Sequence, residues 1–281
     1  MPAGQARDGQ ARAQRPTAAE PPQLPSSLRR ERMLLLIRDR EYVRVRELGE
    51  HFGVSAVTVR SDLDSLSARG QIHRVRGGAI PRLTPRHELP FEDNFASYAD
   101  EKAAIGQVAA ALIGDGETVL LDVGTTTTAA ARALVNRTEL HDVVVFTNGL
   151  KTALALEPAI PQITVVVLGG TLRPLQHSLV EPLASVILRQ ITVKTVFLGC
   201  SGVDPVGGIT NINLPEAEIK RGMLERAQRR IVLADGGKLG QVEVARLCAV
   251  NEIDMLITGR SADAAVVKAL REQSLEVLVV D

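Results

Sequence analysis

The sequence predicts an α/β protein: a small N-terminal winged helix–turn–helix, then a larger Rossmann-like layer built on a mainly parallel sheet with helices on both faces. Three observations predict it. The first is charge. The 281 residues carry 33 basic and 33 acidic side chains, so the whole is formally neutral. Divided at the composition breaks, however, residues 1–25 carry net +1, residues 26–82 net +5 and residues 83–281 net −6. A basic module joined to an acidic remainder suggests nucleic-acid contact by the basic part alone. The second is a pair of short amphipathic helical patterns separated by a Gly-containing turn inside the basic module. The third is a series of short apolar runs alternating with helix-compatible stretches throughout the acidic part.

Residues 1–25 are rich in Ala, Gln, Pro and Arg without periodicity and are expected to be a disordered tail. The basic module is expected over 26–81, with its helix–turn–helix at about 43–62. Leu28–Arg38 holds good helix formers, with Ser26 or Ser27 as a cap. Arg46–Phe52 pairs Leu48 with Phe52 on one face, and Gly53 can take the left-handed conformation that ends a helix. Ser55 caps a third helix from Ala56 to about Arg69, stopped by Gly70, whose apolar stripe is Val59, Leu63 and Leu66. Val57, Arg60, Ser61 and Asp64 point away from that stripe, with Thr58 to one side. A polar face at the start of the third helix suits a major groove. Arg60 can pair bidentately with a guanine edge and Val57 can meet a thymine methyl. Ser55 and the first-turn amides suit a phosphate. Asp64 would repel phosphate unless an arginine pairs with it. Residues 71–78 then supply His73, Arg74 and Arg76 and a Gly pair, which suit a β-hairpin wing on the DNA backbone.

Glu31-Arg32, Val45-Arg46-Glu47-Leu48, Phe52-Gly53-Val54-Ser55, Thr58-Val59-Arg60, Asp62-Leu63 and Arg76-Gly77-Gly78-Ala79 resemble the winged helix–turn–helix of the DeoR/GlpR family of bacterial transcription regulators. That family usually has two consecutive arginines in the recognition helix. Here Ser61 stands in place of the second, so no operator sequence is carried over.

Residues 82–97 hold Pro85 and Pro90 and no helical period and are expected to be a linker to an effector-sensing domain at 98–281. Glu101–Ile113 reads as helix. Strand-like runs follow at Thr118–Leu121, Val143–Phe146, Ile163–Leu168, Thr195–Leu198, Ile231–Leu233, Met255–Ile257 and Leu275–Val280. Between most of them lie helical stretches at Thr126–Val135, Leu150–Leu156, Pro182–Arg189, Pro215–Ala227 and Ala262–Arg271. Right-handed crossovers turn this order into an open parallel layer.

Ligands of such layers bind beyond the carboxyl ends of the strands, where this sequence gathers its polar loops. Asp122-Val123-Gly124-Thr125-Thr126-Thr127-Thr128 leaves one strand and opens a helix, a pattern suited to cradling an anion. Thr147-Asn148-Gly149, Gly169-Gly170-Thr171, Gly202-Val203-Asp204 and Asp235-Gly236-Gly237-Lys238 stand after other strands. Together they suggest a polyol or sugar-phosphate pocket drawing on Lys102, Asp122, Gly124, Thr125, Thr126, Thr127, Asn148, Gly170, Asp204, Lys220 and Lys238. Because the surrounding field is acidic, an anion there must rely on such local donors.

Glu101-Lys102, Leu121–Thr126, Thr147-Asn148, Leu168–Arg173, Leu198–Gly202 and Leu233-Ala234-Asp235 with Lys238 also resemble the DeoR family, in its C-terminal sensor domain. The resemblance implies a phosphorylated sugar or related metabolite as effector, an oligomeric repressor of carbohydrate genes, and a fold similar to ribose-5-phosphate isomerase. Gly236-Gly237 stands where the family usually has two serines.

That fold similarity raises an enzymatic alternative, a sugar-phosphate isomerase fused to a DNA module. Asp204 could serve as a carboxylate, but Lys220 falls where the isomerase's glutamate base is expected. Binding without turnover is the preferred reading, with no catalytic residues and no cofactor. Other classes lack support. Aromatics are only 2% and Trp is absent, which disfavours a stacking groove for single strands. Cys200 and Cys248 form no metal-ligand spacing and fit a cytoplasmic setting. No apolar run reaches the roughly 20 residues of a membrane span. The expected partners are double-stranded operator DNA, a phosphorylated small molecule and further copies of the chain.

Overall fold

The computed structural model describes residues 24–281 except 41, 69–71, 76 and 82–87, and omits the side chains of Ser27, Glu31, Arg38, Asp39, Ala68, His73, Ile80 and Pro81. Of the segments read above, the tail up to residue 23, Gly70, Arg76 and the first part of the linker lie outside the described residues. The chain divides into two compact units, one ending at Arg86 and one beginning at His87.

The first unit contains α1 (Ser26–Arg40), β1 (Val43–Arg44), α2 (Val45–Phe52), α3 (Ala56–Ala68), β2 (Ile72–Val75) and β3 (Gly78–Pro81). The strands form an antiparallel sheet in the order β1-β3-β2. Gly53 closes α2 in the left-handed region at φ 63°, its amide bonded to the Gly49 carbonyl. The Ser55 hydroxyl accepts the Thr58 amide at 3.2 Å and so caps α3. The expected stripe Val59, Leu63 and Leu66 is buried against Met33, Ile37, Val43, Leu48 and Ile72. Arg29 of α1 pairs with the buried Asp62 of α3 at 2.7 Å, pinning the first helix across the third. The two-residue strand β1 was not visible in the sequence, because Val43-Arg44 is too short to show a period.

The second unit begins earlier than its sequence suggests. Part of the expected linker, Phe91–Ala96, is a helix, α4. Its prolines precede the helix rather than break it. Phe91 is buried and stacked on Phe95, and the Arg132 guanidinium lies 4.5 Å from the centre of the Phe95 ring. There follow α5 (Ala99–Ala111), β4 (Thr118–Leu121), α6 (Thr125–Val135), β5 (Val143–Thr147), α7 (Leu150–Leu156), β6 (Ile163–Val167), β7 (Thr171–Arg173), β8 (Ser178–Val180) and α8 (Leu183–Leu188). Next come β9 (Val193–Gly199), β10 (Gly202–Asp204), β11 (Gly208–Asn211), α9 (Leu214–Arg226), β12 (Ala227–Ala234), β13 (Ala245–Cys248), β14 (Met255–Gly259), α10 (Ala264–Glu272) and β15 (Glu276–Val280).

All seven strands expected from the apolar runs form one parallel sheet, in the order β15-β14-β12-β9-β4-β5-β6. Alternate residues face opposite sides. Val119, Leu121, Val145, Phe197 and Ile231 pack under Ile105 of α5 and Ala130 and Leu134 of α6. Leu120, Val196, Leu198, Val232 and Leu256 pack over Leu188, Met223 and Leu270 of α8, α9 and α10. The helices therefore cover both faces. Two small antiparallel sheets, β7-β8 and β10-β11-β13, stand apart from the main one.

The strand order places the site. The chain lays down β4, β5 and β6 in one direction, then returns to place β9, β12, β14 and β15 on the other side of β4. The order reverses between β4 and β9. At such a reversal the connections on either side leave in opposite directions, opening a crevice outside the carboxyl ends of the two strands. Asp122 and Cys200 are the residues that follow β4 and β9.

Candidate functional site

The first unit presents a polar helix face. Val57 is 73% exposed, and Arg60 and Ser61 are exposed beside it. A groove of about 650 Å³ is lined by Arg46, Glu50, Ala56, Arg60, Arg74 and Gly77 among others, from α2, α3 and the wing. Arg74 is more constrained than the sequence implied. Its guanidinium donates to the Arg60 carbonyl at 3.1 Å and pairs with Asp64 at 3.1 Å. That answers the question of Asp64: an arginine offsets its charge, and the wing is tied to the recognition helix. Ser55 and Thr58 share a hydrogen bond at 2.9 Å, so their hydroxyls already serve the helix cap. The side chains of His73 and Arg76 lie outside the described residues.

In the second unit, the switch point gathers most of the polar residues read from the sequence. Asp122 is fully buried, and its Oδ2 accepts the Gly199 amide at 3.0 Å and the Lys220 ammonium. Lys220, from the second turn of α9, also donates to the Gly199 carbonyl at 3.0 Å. Burial alone would lower the Lys220 pKa, but the carboxylates of Asp122 and Glu216 outweigh it and hold the lysine charged. Asn148, buried after β5, accepts the Val123 amide on Oδ1 at 2.8 Å. Gly124 takes φ 146° and ψ 166°, a region essentially closed to other residues, and so starts α6 immediately beyond the sheet. Thr125 to Thr128 are all buried. The Thr127 and Thr128 hydroxyls donate to the Gly124 carbonyl at 3.0 and 2.7 Å. The amides of Thr125, Thr126 and Thr127 open α6, where no carbonyl lies one turn earlier to receive them.

Among the described residues, Asp122 Oδ1, Thr126 Oγ1 and Asn148 Nδ2 around the β4 and β5 loops are buried and have no partner. Asp122 and Asn148 each have their other polar atom engaged, Oδ2 and Oδ1 respectively. Each unpartnered atom costs about 1–3 kcal/mol, and together they offer one carboxylate acceptor, one hydroxyl and one amide donor.

The remaining expected ligands are placed differently. Lys102 is buried and donates to the Asn94 and Ser97 carbonyls, 3.9 Å from Asp235, so it closes the turn between α4 and α5. Burial pushes its pKa down to about 8. Lys238 lies 3.6 Å from Asp235 and keeps a partly exposed side chain. Asp204 sits at the β10–β11 hairpin, where its Oδ1 accepts the Val206 and Gly207 amides at 2.8 and 2.7 Å. That is turn chemistry, and it engages one oxygen of the carboxylate that the sequence offered as a ligand. Gly170 is a point of close approach: a Cβ there would lie 2.1 Å from the Val180 carbonyl oxygen. At Gly236 a Cβ would lie 2.1 Å from the Ala262 amide nitrogen, so this loop as folded has no room for a serine.

Glu101, whose place in the sequence motif does not announce this role, joins two loops of the rim. Its carboxylate accepts the Gly236 amide at 3.0 Å and the Ser261 amide at 2.6 Å. Burial would raise its pKa, but the bonds from Ser261 and Gly236 outweigh that and hold it below the usual carboxylate range. Arg173, Ser178 and Glu216 form a second group that the sequence does not reveal. Arg173 donates to Glu88 at 3.0 Å and to Glu216 at 2.6 Å, and the Ser178 hydroxyl donates to Glu216 at 2.5 Å. No local spacing announces a cluster whose members come from four separate segments. Cys200, which feels the charges of Lys238, Lys220, Asp235 and Asp122, has its thiol pushed up to about 11 by burial, which keeps it protonated and inert. Among the described residues no group of three or more His, Cys, Asp or Glu is placed to hold a metal, and no helix is long and apolar enough to cross a membrane.

Comparison with known proteins bears on both units. Residues 29–82 match the family model described as the DeoR-like helix-turn-helix domain, and residues 97–260 match that of the DeoR C terminal sensor domain. The HTH-type transcriptional regulator GlpR of Haloferax volcanii is 32% identical over 84% of this chain and 91% of its own length. The glycerol-3-phosphate regulon repressor of Escherichia coli is 28% identical, over 86% of this chain and 94% of that protein. Among solved structures, ribose 5-phosphate isomerase A from Methanocaldococcus jannaschii aligns with 51% of this chain and 55% of its own at 20% identity, with a TM-score of 0.38. With both family models matched in order and relatives that align along nearly their whole length, the chain belongs to the DeoR family of DNA-binding transcriptional regulators.

Proposed function

We propose that this protein is a cytoplasmic repressor of carbohydrate-metabolism genes that releases its operator when a phosphorylated sugar or related metabolite fills the β4–β9 crevice. The reading of the effector rests on the three unpartnered atoms, Asp122 Oδ1, Thr126 Oγ1 and Asn148 Nδ2. They match a ligand that both donates and accepts hydrogen bonds, as a polyol does. The first-turn amides of α6 and the partly exposed Lys238 suit its anionic group. Lys102 and Lys220 serve internal partners and take a supporting part. The operator is read by Val57, Arg60 and Ser61 in the major groove, with Ser55, Thr58, His73, Arg74 and Arg76 toward the phosphates. Paired half-sites call for a homo-oligomer, and the names of the relatives in Haloferax and Escherichia support regulation of gene expression rather than turnover. The effector acts by binding one quaternary arrangement better than the other.

The test is a gel shift on DNA upstream of the protein's own gene, repeated over a range of salt and with a panel of sugar phosphates. Salt-sensitive, sequence-specific retardation that a phosphorylated sugar relieves is the expected result. Specific binding that no phosphorylated metabolite alters rejects the effector assignment.

A further inference from the structure

The β7–β8 hairpin touches two places that regulation must connect. On one side it holds the segment that enters the second unit from the DNA-binding unit. Arg173 donates to Glu88 at 3.0 Å through Nη1, and its Nη2 meets the other carboxylate oxygen. Gln176 donates to the Leu89 carbonyl, the Phe91 amide donates to the Leu175 carbonyl at 2.9 Å, and His177 lies 3.0 Å from Glu92. On the other side the same hairpin rests on the loop after β5 that carries Asn148. The Leu179 amide donates to the Asn148 carbonyl at 2.8 Å, and the Leu150 amide donates to the His177 carbonyl at 3.0 Å. A third tie runs to α9, where Glu216 accepts from Arg173 and Ser178. One turn further along α9, Lys220 pairs with Asp122.

Two physical features suit this hairpin to moving as a piece. Among the described residues it pairs with no strand of the seven-stranded sheet, so a shift breaks none of that sheet's ladder. Its charged joint is also sensitive to position. The Arg173 side chain is 17% exposed, Glu88 15% and Glu216 5%, and a single guanidinium serves both carboxylates. A planar fork can bridge two carboxylates only in a narrow range of geometry. Moving either carboxylate leaves a poorly solvated charge without its partner.

We infer that Arg173 is a positioning residue that carries occupancy of the Asp122–Asn148 crevice to the segment beginning at Glu88, and thereby to the operator-binding unit. This inference rests on the effector site proposed above. Filling that site reorders the Asn148 loop and the Lys220 end of α9, the hairpin follows, and the grip of Arg173 on Glu88 changes.

The test uses the full-length chain and two arms. The principal variant is Glu88→Gln, which keeps shape, removes one charge and leaves the Arg173–Glu216 pair in place. Arg173→Lys is the second, since it keeps charge but cannot bridge both carboxylates. In the first arm, operator affinity is measured by anisotropy with and without fructose 6-phosphate, ribose 5-phosphate and glycerol 3-phosphate, and binding of the same probes by calorimetry. The expected result is probe binding and operator binding each within threefold of the parent, with the probe-induced loss of operator affinity reduced at least tenfold. Undiminished operator release in both variants overturns the inference. The second arm needs no probe. Hydrogen exchange at the Phe91 amide is compared in Asn148→Ala with and without Glu88→Gln. The inference expects Asn148→Ala to speed that exchange at least threefold only when Glu88 is present. Equal exchange in all variants overturns it. Failure of every probe to bind the parent rejects the proposed effector while the second arm still decides the joint.

Discussion

Thr126→Val is the sharpest perturbation of the sensor site. The Thr126 hydroxyl is buried and has no hydrogen-bond partner among the described residues. A hydroxyl removed from water without a partner costs about 1–3 kcal/mol. Valine fills nearly the same volume, and the two residues have similar helix propensity in the first turn of α6. The substitution should therefore stabilise the free protein by about 1 kcal/mol, seen as a higher urea midpoint at unchanged slope. The effector should respond in the opposite sense. It loses one hydrogen bond, worth about 1 kcal/mol to a neutral group and about 3 to a charged one, or roughly a five- to 150-fold weaker affinity. Opposite signs for stability and binding are the mark of a group retained for a ligand. Urea unfolding of the parent and variant, with calorimetry on the sugar-phosphate panel, reads both. A variant destabilised by more than about 1 kcal/mol with effector affinity intact refutes the reasoning, because the hydroxyl then has a structural partner.

Other outcomes follow from the same geometry. Arg60→Ala should weaken operator binding by about 1–3 kcal/mol and relax specificity at one base pair, as read by binding to a set of operator variants. Lys220→Met should destabilise the second unit by about 3–5 kcal/mol, since it leaves Asp122 buried and unpaired, whereas adding Asp122→Asn should restore much of that in urea melts. Gly124→Ala should cost at least about 1 kcal/mol, because φ of 146° is strained for alanine; an unchanged urea midpoint counts against the described turn. Lys102 gives a pH signature. Its pKa is about 8 when folded against 10.5 ordinarily, so between those values the unfolded chain binds more protons and stability rises with pH. The full rise from this group is about 3 kcal/mol, and the difference between parent and Lys102→Met melts across that window isolates it.

Regular elements were legible because their patterns are long and local. The stripe Val59, Leu63 and Leu66 and all seven apolar runs of the sheet appear where the sequence puts them. Short elements were not. Thr171–Arg173 and Ser178–Val180 are three-residue strands with mixed polarity, and the Pro-flanked α4 is set by the burial of Phe91 rather than by a helical period. The rim loops were legible as a group through their Gly, Thr and Asn content, but individual roles were not. Asp204 and Lys102 have the chemistry of ligands, but Asp204 accepts the Val206 and Gly207 amides of its own hairpin turn, and the chain's return over Asn94 and Ser97 sets Lys102 to close the turn between α4 and α5. The reversal between β4 and β9 likewise depends on which strands become neighbours, a property of the whole topology. Conversely, the unpaired Asp122 Oδ1, Thr126 Oγ1 and Asn148 Nδ2 sharpen a cradle that composition suggested only as a region.

The most direct measurement is release of the full-length protein from a labelled fragment of its own upstream DNA, titrated with paired sugars that differ only in a phosphate group. The account predicts that a phosphorylated sugar dissociates the complex, that its unphosphorylated partner does not, and that Thr126→Val moves the midpoint of release at least fivefold higher. Equal release by both partners of every pair, or a midpoint unmoved by Thr126→Val, contradicts it.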